Sequence, residues 1–274
     1  MEVTRLIRFE DAEGVARLGL WEPDPRRESL GTARLIEGDL FGRWRPTDAV
    51  VRVRRLRAPV DPPNIYGIGL NYREHAAEGK RDVPDKPLIF IKATTSVIDP
   101  GAPIELPKSA PNKVDFEAEL AVVIGRRARD VPESRVAEYL LGYTCANDVT
   151  ARDCQKELDG QWARAKSFDT FCPLGPCIVP VGQLDPNDLA VRSRLNGQVM
   201  QDACTADMIF SAAYLVSYLS SQFTLLPGTV ICTGTPAGVG FARNPRVFLR
   251  AGDVISVEVG GIGMLTNPVR GPVC

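Results

Sequence analysis

Glu117 and Glu119 stand two residues apart in the stretch "VDFEAELAVVIG", residues 114–125. In an extended strand, alternate side chains share a face, so Val114, Phe116, Ala118, Leu120 and Val122 point one way. Asp115, Glu117 and Glu119 point the other way, followed by Ala121 and Val123. Two carboxylates so close raise each other's pKa unless a positive charge lies between them. Water on a solvated strand face is the alternative. A third acid, Asp148, ends the apolar stretch "YTCAND", 29 residues after Glu119. A buried acid at a strand end needs a partner, although an aspartate here could equally cap the following helix. If the three converge, they form an all-oxygen set suited to magnesium, manganese or calcium rather than zinc.

The single histidine, His75, lies in "NYREHAAEG", three residues before Glu78. On a helix the two share a face, and a carboxylate beside an imidazole orients it as a general base. The same pair could also be a surface histidine in a helical salt bridge. Gly69, Gly79 and Pro84 flank this segment like hinges around a short cover. Lys166 sits in "ARAKSFDTFCPLGP", where a surface lysine is the default. "TGTPAGVG", residues 233–240, could cradle an anion with backbone N–H groups and the Thr235 hydroxyl, or be only a tight turn. It is neither a Walker loop nor a dinucleotide fingerprint.

The elements that must position these residues divide at "APVDPPN", residues 58–64, the one Pro-dense connector. Residues 1–60 read as a small β-rich domain of short strands and turns, and 61–274 as the catalytic domain. "NIYGIGL" and "LIFIK" read as strands, and "NYREHAAEGK" as a short helix closed by Gly79. "PESRVAEYLLGY" reads as an amphipathic helix and "ARDCQKELDG" as another. Thr205 is expected to cap a long helix running to Ser221. "DVISVEVGGIGMLTNPV" reads as a hairpin turning at Gly260-Gly261. Strands outnumber helices, so the expected class is a β-rich, mixed α/β fold.

The chain has 274 residues, 44% hydrophobic and 24% charged, with a net charge of -1, which suits one sizeable core and argues against nucleic-acid binding. The basic clusters at 54–57 and 126–129 lack interleaved aromatics. No apolar run is long enough to cross a membrane, and the N-terminus lacks a signal-peptide pattern, so a cytoplasmic location is expected. The seven cysteines, Cys145, Cys154, Cys172, Cys177, Cys204, Cys232 and Cys274, include no C-x-x-C and read as reduced, partly buried thiols. Nothing beside them would activate a nucleophilic thiol.

The blocks "YGIGLNYREHAAE", "KPLIFIKATTSVI", "VDFEAELAVVIG", "NDVTARDCQ", "AKSFDTFCPLGP" and "TGTPAGVG", in that order, resemble the fumarylacetoacetate hydrolase superfamily, in its acylpyruvase and 2-hydroxyhepta-2,4-diene-1,7-dioate isomerase-like branch. The resemblance implies a mixed β-roll core, a divalent metal and a homodimer. By position it implies Glu117, Glu119 and Asp148 as ligands of Mg2+ or Mn2+, and Lys166 beside the substrate's developing enolate. Gln155 and Thr235 match groups that hold the 2-oxo acid, and His75 with Glu78 matches a dyad that activates water. The connection from Gln155 to Lys166 is shorter than in that branch, which bears on pocket shape. The expected activity is C–C bond hydrolysis of acylpyruvate-type 2,4-dioxo acids. The alternatives are a decarboxylase or isomerase of 2-oxo or 2-hydroxydienoic acids on the same site, and a metal-binding protein without turnover.

Overall fold

The structure is a computed structural model and describes residues 3–26, 30–158 and 160–272. Among these residues strands dominate, and they form a twelve-stranded, a five-stranded and a two-stranded sheet. The expected β-rich, mixed architecture is what the chain adopts.

The large sheet is built around Ala118–Ile124, which is buried along its whole length. This strand pairs antiparallel with Leu140–Asn147 on one side and Val230–Cys232 on the other. Beyond Val230–Cys232 the sheet continues in parallel to Ile65–Gly69, then antiparallel to Leu88–Lys92. Beyond Glu119 its central strand is apolar on both faces, and both are covered. Leu120, Val122 and Ile124 join one core cluster, with Val191, Val257 and Leu265 of the five-stranded sheet and Leu215 and Leu219 of the helix Ala212–Gln222. Ala121 and Val123 join another, with Ala146, Leu174, Ile178 and Val230.

The N-terminal strands Leu6–Glu10, Ala16–Glu22, Thr32–Gly38 and Trp44–Arg52 extend this large sheet, entering it where Leu6 pairs with Ile178 of Cys172–Pro180. Ile7, Phe9, Ala33 and Val53 share the first core cluster with the central strand. The hairpin Val254–Val259 with Gly263–Arg270 forms as expected, with Gly260-Gly261 in its turn.

Three local readings are corrected. "VDFEAELAVVIG" is not one strand but two, Val114–Asp115 and Ala118–Ile124, broken at Phe116 and Glu117. The amphipathic helix expected over "PESRVAEYLLGY" is a 3-10 segment, Glu133–Tyr139, and Leu140 onward is strand. Gly142 explains why: a Cβ there would lie 2.1 Å from the Val179 carbonyl oxygen, so its absence lets the two backbones pair closely. Thr205 does not cap the long helix. That helix is Ala212–Gln222, capped by Ser211, whose Oγ accepts from the Tyr214 N–H at 3.0 Å. The segment before it is held by Asn71 instead. Ile209 N–H donates to the Asn71 carbonyl at 2.8 Å, and Phe210 N–H to Asn71 Oδ1 at 2.8 Å.

No helix among the described residues is long and apolar enough to cross a membrane. Of the cysteines, Cys145, Cys172, Cys177 and Cys232 are buried free thiols, Cys154 is also buried, and Cys204 is half-buried and free. Cys274 lies outside the described residues.

Candidate active site and metal centre

The break at Phe116 and Glu117 creates the site. It ends the ladder of Val114–Asp115, and Asn147 Oδ1 accepts the freed Glu117 N–H at 3.0 Å. Asp148 N–H donates to the Glu117 carbonyl at 2.9 Å, which fixes the two acids against each other. Glu119 follows on the central strand. Ligand oxygens of Glu117, Glu119 and Asp148 lie within 4.8 Å of one another, all in buried residues. The solvated-face alternative is thereby removed: these acids lie together in buried positions.

Two lysines meet the acids there. Lys166, on the short helix Trp162–Lys166, donates to Glu117 Oε2 at 3.0 Å, to Thr150 Oγ1 at 2.8 Å and, in a very short contact, to Asp148 Oδ2. Lys92, at the end of the strand Leu88–Lys92, donates to Asp148 Oδ1 at 2.6 Å. Asp148 is therefore no helix cap, and Lys166 no surface lysine. Arg152 completes the cluster, with Nη2 2.6 Å from Glu117 Oε1 and Nε 2.8 Å from Asp115 Oδ2.

The charge balance follows from these contacts. Burial alone would raise the Glu117 pKa, but Lys166 and Arg152 outweigh it and hold the carboxyl far below its usual range. Burial opposes the Lys166 charge too, yet Asp148 and Glu117 hold its pKa above the usual lysine value. Glu119 is treated differently. Its Oε2 accepts one backbone N–H, from Gly234 at 2.7 Å, and burial, Asp148 and Glu117 push its pKa well above the ordinary value. This arrangement of oxygen donors, with Glu119 in ion-pair contact with no cation among the described residues, fits a hard divalent cation such as Mg2+ or Mn2+.

"TGTPAGVG" does cradle anions, but they are the protein's own. Gly234 N–H binds Glu119, Gly238 N–H binds Glu78 Oε1 at 3.0 Å, and Gly240 and Phe241 N–H bind Asp115 at 2.8 and 3.0 Å. Gly234 has φ +99, and a Cβ there would stand 2.7 Å from Asn71 Cβ. Gly234→Ala should destabilise the protein by about 1–3 kcal/mol through backbone strain. It should also weaken divalent-ion binding by moving the N–H that holds Glu119. Chemical denaturation and calorimetric titration with Mn2+ check the two effects, and unchanged Mn2+ affinity would dissociate the glycine from the site.

His75 and Glu78 share one face of the helix Arg73–Glu78, with Nδ1 3.2 Å from Glu78 Oε2. The expected hinges take other roles. Gly79 ends the helix with an ordinary φ of -78, and the left-handed residues are Leu70 and Lys80, at φ 55 and 51. A Cβ on Gly69 would meet Trp162 at 2.4 Å, so that glycine makes room for the indole.

A cavity of about 120 Å3 collects these groups. His75, Glu78, Glu117, Gln155, Lys166 and Thr235 all line it, against apolar walls that include Ile68, Phe90, Trp162 and Val239. Gln155 lies in a π-helical turn, Cys154–Leu158, within the segment read as an ordinary helix; Asp159, at its end, lies outside the described residues. Such turns are rare and frequent at functional sites. Gln155 Oε1 accepts from Arg152 Nη1 at 2.9 Å, which leaves its amide N–H groups as the donors for a ligand. Thr235 Oγ1 donates to the Ala118 carbonyl at 3.0 Å and accepts from Gln201 Nε2 at 2.7 Å. Its role at the wall is therefore partly to hold the strand that carries Glu119.

Arg152, Lys92, Asp115 and Gln201 were not among the expected site residues. The signals for two of them were slight: Arg152 precedes Gln155 by three positions in "TARDCQ", and Lys92 ends the apolar strand "LIFIK".

The model of the fumarylacetoacetate (FAA) hydrolase C-terminal family matches residues 64–270. A mitochondrial oxaloacetate tautomerase of Xenopus laevis is 44% identical over 217 residues, 78% of this chain and 68% of its own length. Among solved structures, the 2-hydroxyhepta-2,4-diene-1,7-dioate isomerase of Mycobacterium marinum superposes with a TM-score of 0.85 at 41% identity, covering 98% of each chain. The 5-carboxymethyl-2-hydroxymuconate delta-isomerase of Mycobacterium smegmatis does so with a TM-score of 0.84 at 43% identity, covering 97% of this chain and 99% of the other.

Proposed function

Since this chain belongs to the fumarylacetoacetate hydrolase family, we propose that it is a divalent-metal-dependent tautomerase that interconverts the enol and keto forms of small 2-oxo acids. One observation carries the reading. A dyad suited to proton exchange, His75 with Glu78, and a buried cation, Lys166, line one small cavity together with Glu117 of the acid cluster, and among the described residues no Ser or Cys lines it. Such a site can move a proton; it offers no thiol or serine nucleophile for a covalent intermediate. The similar proteins named above, a tautomerase and two isomerases, favour proton transfer over the C–C bond hydrolysis expected from the sequence.

The roles follow from the contacts. Glu117, Glu119 and Asp148 would hold Mg2+ or Mn2+, which when bound supplies Lewis-acid polarisation of the 2-oxo group. Glu78 engages His75 Nδ1 and leaves Nε2 to exchange a proton with C3 of the ligand. Gly238 N–H fixes Glu78 in turn, so the imidazole is held at a set angle over the cavity. Lys166 places positive charge where negative charge develops on the 2-oxo oxygen. The Gln155 amide binds the adjoining carboxylate. Phe90, Trp162 and Val239 limit the water that reaches the reacting carbon.

The test adds the enol form of oxaloacetate to purified protein with Mg2+ and follows loss of enol absorbance and products together. Accelerated enol loss with no pyruvate, CO2 or acetate supports the tautomerase. His75→Ala should slow it about 100- to 10,000-fold, the range of a general base. Metal-dependent pyruvate and CO2 would make the protein a decarboxylase, and acetate with pyruvate from acetylpyruvate a hydrolase. The hydrolytic reading draws on the same dyad, which would then orient water. No turnover of either acid would leave a metal-binding protein.

A further inference from the structure

Ala118, the residue between Glu117 and Glu119, pairs with Asn147 on one side, and among the described residues no strand pairs with it on the other. Val230–Cys232 meets the central strand only from Ala121 to Val123, and the Thr233 N–H adds one bond to the Leu120 carbonyl at 3.0 Å. The chain then leaves for the Gly-rich turn. Two side chains take the place of the missing strand. Gln201 Oε1 accepts the Ala118 N–H at 3.0 Å, and Thr235 Oγ1 donates to the Ala118 carbonyl at 3.0 Å. Gln201 Nε2 donates to Thr235 Oγ1 at 2.7 Å, which closes a ring of three hydrogen bonds on the one residue that separates the two acids.

The Gln201 amide has no capacity left over. Nε2 also donates to the Pro236 carbonyl at 2.9 Å, and Oε1 also accepts from Ser193 Oγ at 2.9 Å, so two donors and two acceptor sites are all used. Gln201 is buried, and an unmade bond there is costly. It belongs to the strand Gln198–Cys204 of the five-stranded sheet, so this one amide joins that sheet to the strand of the acids. Its neighbour Met200 serves the other half of the site. Arg243 donates to the Met200 carbonyl in a very short contact and to the Gly238 carbonyl at 3.1 Å, and the Gly238 N–H holds Glu78.

We propose that Gln201 is a positioning residue for the candidate metal centre, setting Glu117 and Glu119 relative to each other through Ala118 and Thr235. With its capacity full, the amide bonds none of the three acids itself and acts only through the backbone between them. The inference deepens the metal-dependent reading above and rests on it. Groups that orient the ligands of a metal, without touching the ion, change its affinity about 10- to 100-fold when they are lost.

The test substitutes Gln201→Met, which keeps the length of the side chain and makes none of its bonds. Calorimetric titration with Mn2+, without substrate, should show binding about 10- to 100-fold weaker than in the parent. The electron paramagnetic resonance spectrum of the bound Mn2+ should change as well, because it reports the arrangement of the ligands. Asn267→Leu is the structural control. It removes an equally buried amide that donates to the Asp99 and Ala102 carbonyls at 3.0 and 2.8 Å. It should lower the urea midpoint and leave the Mn2+ affinity and spectrum as in the parent. If Gln201→Met does not fold, Gln201→Asn keeps an amide that is one methylene too short to span Ala118 and Thr235, and Mn2+ should bind it several-fold more weakly. Mn2+ affinity and spectrum unchanged in the Gln201 variants, or shifted equally by Asn267→Leu, overturn the role. Weakened Mn2+ binding confined to the Gln201 variants, in a protein that does not tautomerise oxaloacetate, sustains the role and refutes the tautomerase.

Discussion

Asp148→Ala is expected to lose about 3–5 kcal/mol of stability, the cost of leaving buried charge without its partner. The reason lies in what the carboxylate holds. Lys92 and Lys166 both donate to it, and the side chains of Asp148 and Lys92 are fully buried, with Lys166 nearly so. With the acid gone, Lys166 retains Glu117 and Thr150, but Lys92 retains only the Val149 carbonyl at 3.4 Å. Urea denaturation of the metal-free protein measures the loss. Asp148→Ala combined with Lys92→Met should recover part of it, since the second change removes the orphaned ammonium. A single substitution that costs less than about 1 kcal/mol, the worth of an exposed pair, would show that water reaches this cluster.

The second large effect concerns the cation. Mg2+ at a hundred times its dissociation constant should stabilise the parent by about 2.7 kcal/mol through mass action. Glu119→Gln should abolish that gain while leaving metal-free stability nearly unchanged. The two parts have one origin. Burial, Asp148 and Glu117 push the Glu119 pKa well above its ordinary value, which lowers the cost of exchanging its carboxyl for a neutral amide. Binding a cation requires the carboxylate, which glutamine cannot supply. Thermal unfolding with EDTA, with Mg2+ and with Mn2+ reads both parts. If Mg2+ stabilises Glu119→Gln as well as the parent, the ion binds elsewhere. Activity should fall with EDTA and return with Mg2+ or Mn2+, which ties the stabilising ion to turnover.

Much of the site was legible because its chemistry is carried by residue types that are rare inside proteins. Glu117, Glu119 and Asp148 stood out as acids embedded in apolar runs, and the fold buries them side by side. The His75–Glu78 contact follows from helical spacing alone, since positions three apart share a face. The hairpin turning at Gly260-Gly261 was a local pattern, and local patterns survive folding when the core agrees with them. Other local signals lost to tertiary contacts. Thr205 has the chemistry of a cap, but its Oγ1 accepts the Leu189 N–H at 2.8 Å, and Asn71 claims the N–H groups that would have extended the helix. The amphipathic pattern at 132–143 yielded to strand pairing beyond Leu140 because Gly142 lets the neighbouring strand approach.

The sequence by itself determined the β-rich class and the family, and it singled out the three acids, the pair His75 and Glu78, and Lys166 as candidates. These depend on residue identity and on spacing within single elements. Only the tertiary structure decided which charges neutralise which. Arg152 reaches back 35 positions to Glu117, Lys92 reaches 56 positions to Asp148, and the Gly-rich turn spends its N–H groups on Glu119, Glu78 and Asp115. A salt bridge or hydrogen bond between distant segments has no period along the chain; it exists only where packing brings its two ends within about 3 Å.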